Sequence, residues 1–369
     1  MYKLNLEQFN NIMNSKPNRL ENCDLTDLDF LNFKDLLIGP LNKQEKIESW
    51  TDNVKWPETI TKTINPQKIL EDAKHPTEMD SLHKRGLTGH GINIAIIDQK
   101  LYLEHPEYKD QIKHYELVGV WPKYDHADYH GSLVTGCAVG KTTGTAPDAN
   151  IYYFAANNWA NYNTPFIAAQ LKLLSSETLK DTQHRLFENM AIKRVLEINN
   201  TLPENEKIRF LSCSWGRAID QFYKESVELL DECEKNGIMV IGAEYKNERN
   251  KTYDGNIRYP DPGKPGVLIP TNEKTTPYFR GGYVYSRDGG LSSTYPYIAG
   301  VFACALQNNQ LFFTRPNWQD ELFDILYQTA SQTSNGARII NPDGIEQRVS
   351  EITHEMQNNL IKQQRLKNE

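Results

Sequence analysis

The amino-acid sequence predicts an α/β protein with a central, mainly parallel sheet covered by helices on both faces. Three observations predict it. Short continuous apolar runs recur along the chain, of the kind that parallel strands buried on both faces require. Segments with apolar residues at helical spacing lie between them. Residues able to do chemistry follow directly after several of the runs, where open α/β sheets gather their function.

Taken in order, residues 1 to about 65 stand apart. They are polar, rich in Asn, Asp and Lys, and lack alternating strand and helix signals. Helices are expected at Leu6–Met13 and Leu28–Leu37, with Pro57 and Pro66 punctuating the exit. The run Ile92-Asn93-Ile94-Ala95-Ile96-Ile97 then reads as a buried strand ending at Asp98. The small apolar stretch from Gly131 to Val139 suits a tightly packed helix, and Ile151-Tyr152-Tyr153-Phe154-Ala155 is a second strand. Leu186, Phe187, Met190, Ala191, Val195 and Leu196 share one face of a long helix. Ile208 to Cys213 is a third strand. Phe222 to Cys233 is an amphipathic helix that Asn236-Gly237 breaks. Ile238 to Ile241 is a fourth strand and Gly266 to Ile269 a fifth. The apolar run Ile298 to Leu306 suits a central buried helix. The expected division is an N-terminal segment at 1–70, the α/β domain at 71–340 and a charged tail at 341–369, read as a solvated helix or frayed end.

Composition narrows the function. The 369 residues are 38% hydrophobic and 24% charged, with a net charge of -7. That balance allows a sizeable core and disfavours nucleic acid, whose phosphates call for basic patches. No apolar run is long enough to span a bilayer. The N-terminus lacks the apolar stretch of a secretion signal, so a cytoplasmic location is expected. Cys23, Cys137, Cys213, Cys233 and Cys304 are five widely spaced cysteines without a CxxC pair. They read as reduced, small buried residues rather than as disulfides or a zinc site.

Three residues carry the chemical case. Asp98, at the end of a buried strand, is placed to orient an imidazole, although such a carboxylate also caps turns. His130 precedes the small residues Gly131-Ser132, which let a helix start close to a site. Ser292 follows Gly289-Gly290-Leu291, where two glycines let the backbone turn sharply. A helix can start at that serine, since Pro296 is tolerated only in a first turn. Free N–H groups and the positive end of the helix dipole would then face the hydroxyl. Ser293 or Thr294 would serve equally well as a plain cap. A metal reading uses His126 and His130, four apart with Asp125 and Asp128 nearby. The glutamate of HExxH is missing, and Gly131 with Asp125 argues against a helix through the stretch. A nucleotide reading fails for want of a glycine-rich loop after Ile97.

Order and surroundings together bring in a resemblance. Gly91–Asp98 resembles the aspartate-bearing strand of subtilisin-family serine peptidases. His130-Gly131-Ser132-Leu133-Val134-Thr135-Gly136 resembles the family's His-Gly-Thr-His-Val-Ala-Gly. Gly290-Leu291-Ser292-Ser293-Thr294-Tyr295-Pro296 resembles its Gly-Thr-Ser-Met-Ala-Ala-Pro, and Gly144-Thr145-Ala146-Pro147 its Gly-Val-Ala-Pro. The order Asp, His, Ser is the family's own. The resemblance covers roughly residues 75 to 335.

It implies a three-layer α/β/α fold and a serine endopeptidase working through Asp98, His130 and Ser292 and an acyl-enzyme. A peptide or protein would be the substrate, added as an extended strand along Ser214-Trp215-Gly216. Asn247 would donate to the oxyanion if one residue is inserted, since Lys246 holds the ungapped position. No cofactor is implied. Calcium is common in the family, but the sequence offers no clear ligand set. The first 70 residues would be a propeptide or a permanent partner-binding region. Departures from the pattern, such as Gln99-Lys100 after the aspartate and Leu133 for the second histidine, mark a distant branch. They leave open a subtilisin-fold protein that binds peptides without cutting them.

Overall fold

The computed structural model describes residues 1–368 except 16–17, 39–45, 120, 122–126, 158–175, 216–221, 243–265 and 335. The N-terminal segment contains β1 (Tyr2–Lys3), α1 (Leu6–Met13), β2 (Arg19–Leu20), β3 (Cys23–Asp24), α2 (Phe33–Leu37), β4 (Ser49–Thr51), α3 (Glu58–Thr63) and α4 (Pro66–Asp72). Helix α1 occupies the predicted residues, because Asn5 and Gln8 form a reciprocal capping box at its start. The helix predicted at Leu28–Leu37 is shorter. Only Phe33–Leu37 is α-helical, behind a separate turn of 3₁₀ helix at Thr26–Leu28. Scattered apolar residues, Phe9, Leu25, Phe33, Trp50 and Trp56 among them, form a core of their own with Tyr285 from the main domain.

After α5 (Asp80–Lys84) the main sheet begins. Its strands are β5 (Asn93–Gln99), β6 (Ile112–Leu117), β7 (Asn150–Asn157), β8 (Ile208–Cys213) and β9 (Met239–Gly242), in the order β6-β7-β5-β8-β9. All four pairings are parallel. Alternate residues of each strand point to opposite layers. Ile94, Ile96, Ile151, Tyr153, Phe210 and Ile241 enter one core, while Ala95, Ile97, Phe154, Leu211 and Val240 enter the other. The first layer of helices holds α6 (Tyr129–Val139); the second holds α7 (Ser176–Thr201) and α8 (Tyr223–Lys235). The three-layer α/β/α architecture therefore follows from strands that are apolar on both sides.

Four of the five predicted strands are present. The fifth, at Gly266–Ile269, is not a strand of the sheet. Val267 and Ile269 are buried, and Leu268 makes only an isolated parallel bridge to Ile339. The fifth strand is β6, an edge strand whose exposed Lys113 and half-exposed His114 and Glu116 break the apolar pattern.

Beyond the sheet, β10 (Lys274–Pro277) and β11 (Tyr283–Ser286) form a hairpin. They are followed by α9 (Thr294–Leu306), α10 (Trp318–Thr329), the short pair β12 (Ser331–Gln332) and β13 (Arg338–Ile339), and α11 (Pro342–Asn368). Every residue from Pro296 to Leu306 is buried, so α9 is the central helix of its layer. Ile345, Val349 and Ile352 of α11 are buried against the same core. The segment read from sequence as a solvated tail thus starts with one face in the core and is exposed all round only in its last turns. All five cysteines are free and buried. Among the described residues, no helix is long and apolar enough to cross a membrane.

The N-terminal segment is built into the main domain through a second sheet, in the order β10-β11-β4-β2. Strand β4 pairs antiparallel with β11, matching Thr51 to Val284, Trp50 to Tyr285 and Ser49 to Ser286.

Candidate active site

The site lies at the carboxyl end of β5, where the strand order divides: β7 lies on one side and β8 on the other. Open α/β sheets form their crevice at such a point. Asp98 is the next-to-last residue of β5 and its side chain is 4% exposed. His130 is the second residue of α6, and its side chain is 18% exposed. The two are 32 positions apart in sequence, yet His130 Nδ1 and Asp98 Oδ1 lie 2.7 Å apart. The same Oδ1 accepts the backbone N–H of Gln99 at 2.7 Å. The carboxylate is therefore held by two donors on one oxygen, and the imidazole leaves Nε2 for other partners.

Local sequence explains how α6 gets so close. Asp128 caps the helix by accepting the Tyr129 N–H at 2.6 Å. Behind the histidine, a Cβ at Gly131 would lie 2.7 Å from the Gln99 carbonyl oxygen and also crowd the Tyr153 hydroxyl. The Tyr153 hydroxyl itself donates to that Gln99 carbonyl. Glycine is what allows α6 to start against the end of β5. Gly131→Ala should destabilise the fold by about 1–3 kcal/mol, because overpacking forces backbone apart. Urea unfolding would show it, and an unchanged midpoint would contradict the packing argument.

His130 carries opposing influences. Burial alone would lower its pKa. The Asp98 charge, the Asp98 hydrogen bond and the Asp128 charge outweigh burial, and the imidazole is raised above its ordinary value. Asp128 is itself raised, first by burial, with the Tyr129 N–H pulling the other way. Sequence reasoning weighed Asp128 only as a metal neighbour. Its place one step before the helix is the signal that identifies it as a cap beside the imidazole.

Ser292 sits in a single 3₁₀ turn, Leu291–Ser293, directly before α9. The α-helix therefore begins at Thr294, two residues later than predicted from sequence. Gly290 has φ 64° and ψ 163°, a conformation reserved for glycine. The turn is tied down by the Gly289 N–H on Asn272 Oδ1 at 3.2 Å and the Gly290 N–H on Asp288 Oδ1 at 3.1 Å. Of the three neighbouring hydroxyl residues, Ser293 and Thr294 are buried, and Ser292 alone is half-exposed. Ser293 Oγ donates to the Gly289 carbonyl at 2.7 Å and serves the turn.

Several contacts bring the serine turn to the histidine helix. The Ser293 hydroxyl lies beside the thiol of Cys137 in α6, which burial pushes up to about 11. Ala146 N–H donates to the Ala138 carbonyl at 2.8 Å, and Thr145 Oγ1 donates to the Tyr297 carbonyl at 3.1 Å. The stretch Gly144–Ala149 thus clamps α6 to α9. From the other side, Ser214 Oγ donates to the Ser292 carbonyl at 2.8 Å, fastening the end of β8 to the turn. Ser214 and Trp215 are half-buried there. Among the described residues no hydrogen bond joins Ser292 to His130. Such contacts are often long without substrate and tighten in the complex.

Gly216, His126 and Asn247 lie outside the described residues. Among the described residues, no group of three or more His, Cys, Asp or Glu side chains stands close enough to hold a metal ion.

A parallel-sheet α/β protein with a bonded Asp–His pair and a glycine-turned serine at its carboxyl rim has the build of a serine-protease-type hydrolase. The chain belongs to the subtilase family, whose model matches residues 89–351. Over 80 residues it is 29% identical to the subtilisin-like protease PopC of Myxococcus xanthus, a stretch amounting to 19% of this chain and 17% of PopC. Similar solved structures include the prenylagaramide maturation protease PagA, at 16% identity over 73% of this chain and 98% of that one, with a TM-score of 0.48. A cold-adapted subtilisin-like serine proteinase is 15% identical over 68% of this chain and 89% of its own, with a TM-score of 0.44.

Proposed function

We propose that the chain is a serine endopeptidase in which Ser292 attacks a peptide carbonyl, His130 carries the proton and Asp98 orients the imidazole. The observation that carries this reading is the 2.7 Å bond between Asp98 Oδ1 and His130 Nδ1. It leaves Nε2 to take the Ser292 proton and then to protonate the leaving amine. The negative Asp98 stabilises the imidazolium that forms between the two steps. The peptide would lie extended along Ser214-Trp215-Gly216, and the Ser292 N–H with Asn247 would receive the oxyanion. Incubating the purified protein with a mixed peptide substrate tests the reading by mass spectrometry. New amine termini that Ser292→Ala does not produce support it. Saturable peptide binding without any cleavage would replace it with the peptide-binding alternative.

The pH profile is a second test. A base must be deprotonated to act, and His130 holds its proton to higher pH than an ordinary histidine. The acid limb of kcat/KM should therefore have its midpoint above about 6.5. Asp128→Asn removes one of the raising charges while keeping a capping side chain, so the midpoint should move down. A midpoint that stays in place would remove Asp128 from the account.

A further inference from the structure

Arg19 of the N-terminal segment reaches the start of the active-site helix. The Arg19 guanidinium carbon lies 5.1 Å from the centre of the Tyr129 ring. Tyr129 is the first residue of α6, and its ring stands edge-on to the His130 imidazole at 5.9 Å and 84°. The tyrosine is 41% exposed, and the arginine covers part of its ring. A guanidinium over an aromatic face is an attractive contact that fixes the ring.

Arg19 is itself held from both sides. Its Nε donates to Ser49 Oγ at 3.3 Å, and Nη1 donates to Glu21 Oε1 at 3.5 Å. Glu21 Oε2 accepts the Tyr278 hydroxyl at 2.6 Å. Tyr278 directly follows Pro277, the end of β10, and Pro277 packs against Gly136 of α6. The arginine therefore belongs to a closed path that leaves α6, passes through the hairpin and β2, and returns to α6 at its first residue.

We propose that Arg19 is a positioning residue for the active site, holding Tyr129 and through it the start of the His130 helix. The N-terminal segment is then a standing part of the working protein and not a detachable cover. Its attachment agrees with that role. Trp50 lies 4.4 Å, ring centre to ring centre, from Tyr285. The Asp52 N–H donates to the Tyr283 carbonyl at 3.0 Å and the Arg287 N–H to the Glu48 carbonyl at 2.9 Å. Loss of the segment would strip one edge of β11, the strand that leads into the Ser292 turn.

The activity readout of this proposal rests on the hydrolytic reading above. The test labels the full chain with a fluorophosphonate, whose phosphorus the serine attacks with loss of fluoride, and reads both the intact mass and the labelling rate. Wild type should carry the label at full-length mass. Arg19→Gln should slow labelling roughly tenfold, since small misplacements of a reacting group cost rate steeply. Arg19→Lys, which keeps a cation, should recover most of that loss. Tyr129→Leu should match Arg19→Gln, and the double variant should lose no more than either single one, because the two act through one contact. A label found only on chains that have lost the segment would overturn the proposal, as would losses that multiply in the double variant. If wild type takes no label, the hydrolytic reading falls and the His130 ring resonances decide. Arg19→Gln should shift them in the folded protein, and unchanged resonances would overturn the proposal.

Discussion

Replacing Ser292 with alanine is expected to abolish fluorophosphonate labelling and to reduce peptide cleavage on the order of 10⁶-fold, the loss that removing the nucleophile causes in subtilisin itself. Stability should change by less than about 0.5 kcal/mol, as for substitutions that break no buried contact. The structure explains why the two effects separate. The bond that fastens the turn to β8 uses the Ser292 carbonyl, which alanine retains. The hydroxyl bond that shapes the turn belongs to Ser293. Ser293→Ala should thus do the opposite and weaken the fold, because it leaves the Gly289 carbonyl without its donor. Equal labelling of wild type and Ser292→Ala would place the nucleophile elsewhere.

How much of this was legible in the sequence depends on which physical signal each part carries. Strands β5, β8 and β9 are buried almost throughout and so appear as near-continuous apolar runs, broken at Asn93, Arg209 and Ser212. Edge strand β6 is half-exposed and hides among charged residues. The N-terminal core was illegible for a different reason. Its strands are two or three residues long, too short to show a period, and one wall of the core is Tyr285, far along the chain. The start of α11 looked like a charged tail because its apolar residues, Ile345, Val349 and Ile352, cover a single narrow stripe.

The site divides in the same way. Asp98 and His130 stood out one at a time, at a strand end and before a glycine. Their pairing came from the family resemblance, since no local pattern links positions 32 apart. Local pattern alone did not tell Ser292 from Ser293 and Thr294, because hydroxyl residues at a helix start look alike, and the family resemblance was what singled it out. Burial separates them. Arg19 had no signal at all. Its role depends on β2 lying beside β4, and β4 beside β11, which is a tertiary fact.

The second large effect concerns Asp98. Asp98→Asn is expected to lower kcat/KM while leaving the protein folded, by at most on the order of 10⁴, the loss seen where the amide forces the histidine into the wrong tautomer. The geometry refines the expectation. In wild type one oxygen, Oδ1, accepts both the Gln99 N–H and the His130 Nδ1. An amide that keeps its oxygen there satisfies both donors and preserves the tautomer, so what it loses is the negative charge that stabilises the imidazolium. An amide turned the other way offers N–H groups to a backbone donor and drives His130 to the wrong tautomer. The Gln99 N–H should therefore bias the amide toward the first orientation. Its signature is a pH midpoint for kcat/KM below that of wild type, because the Asp98 charge is the leading influence holding the imidazole proton on. Asp98→Ala, which removes the acceptor as well, should lose more activity than Asp98→Asn. Retention of activity within tenfold in Asp98→Asn would show that the Asp98 charge is not needed to stabilise the imidazolium.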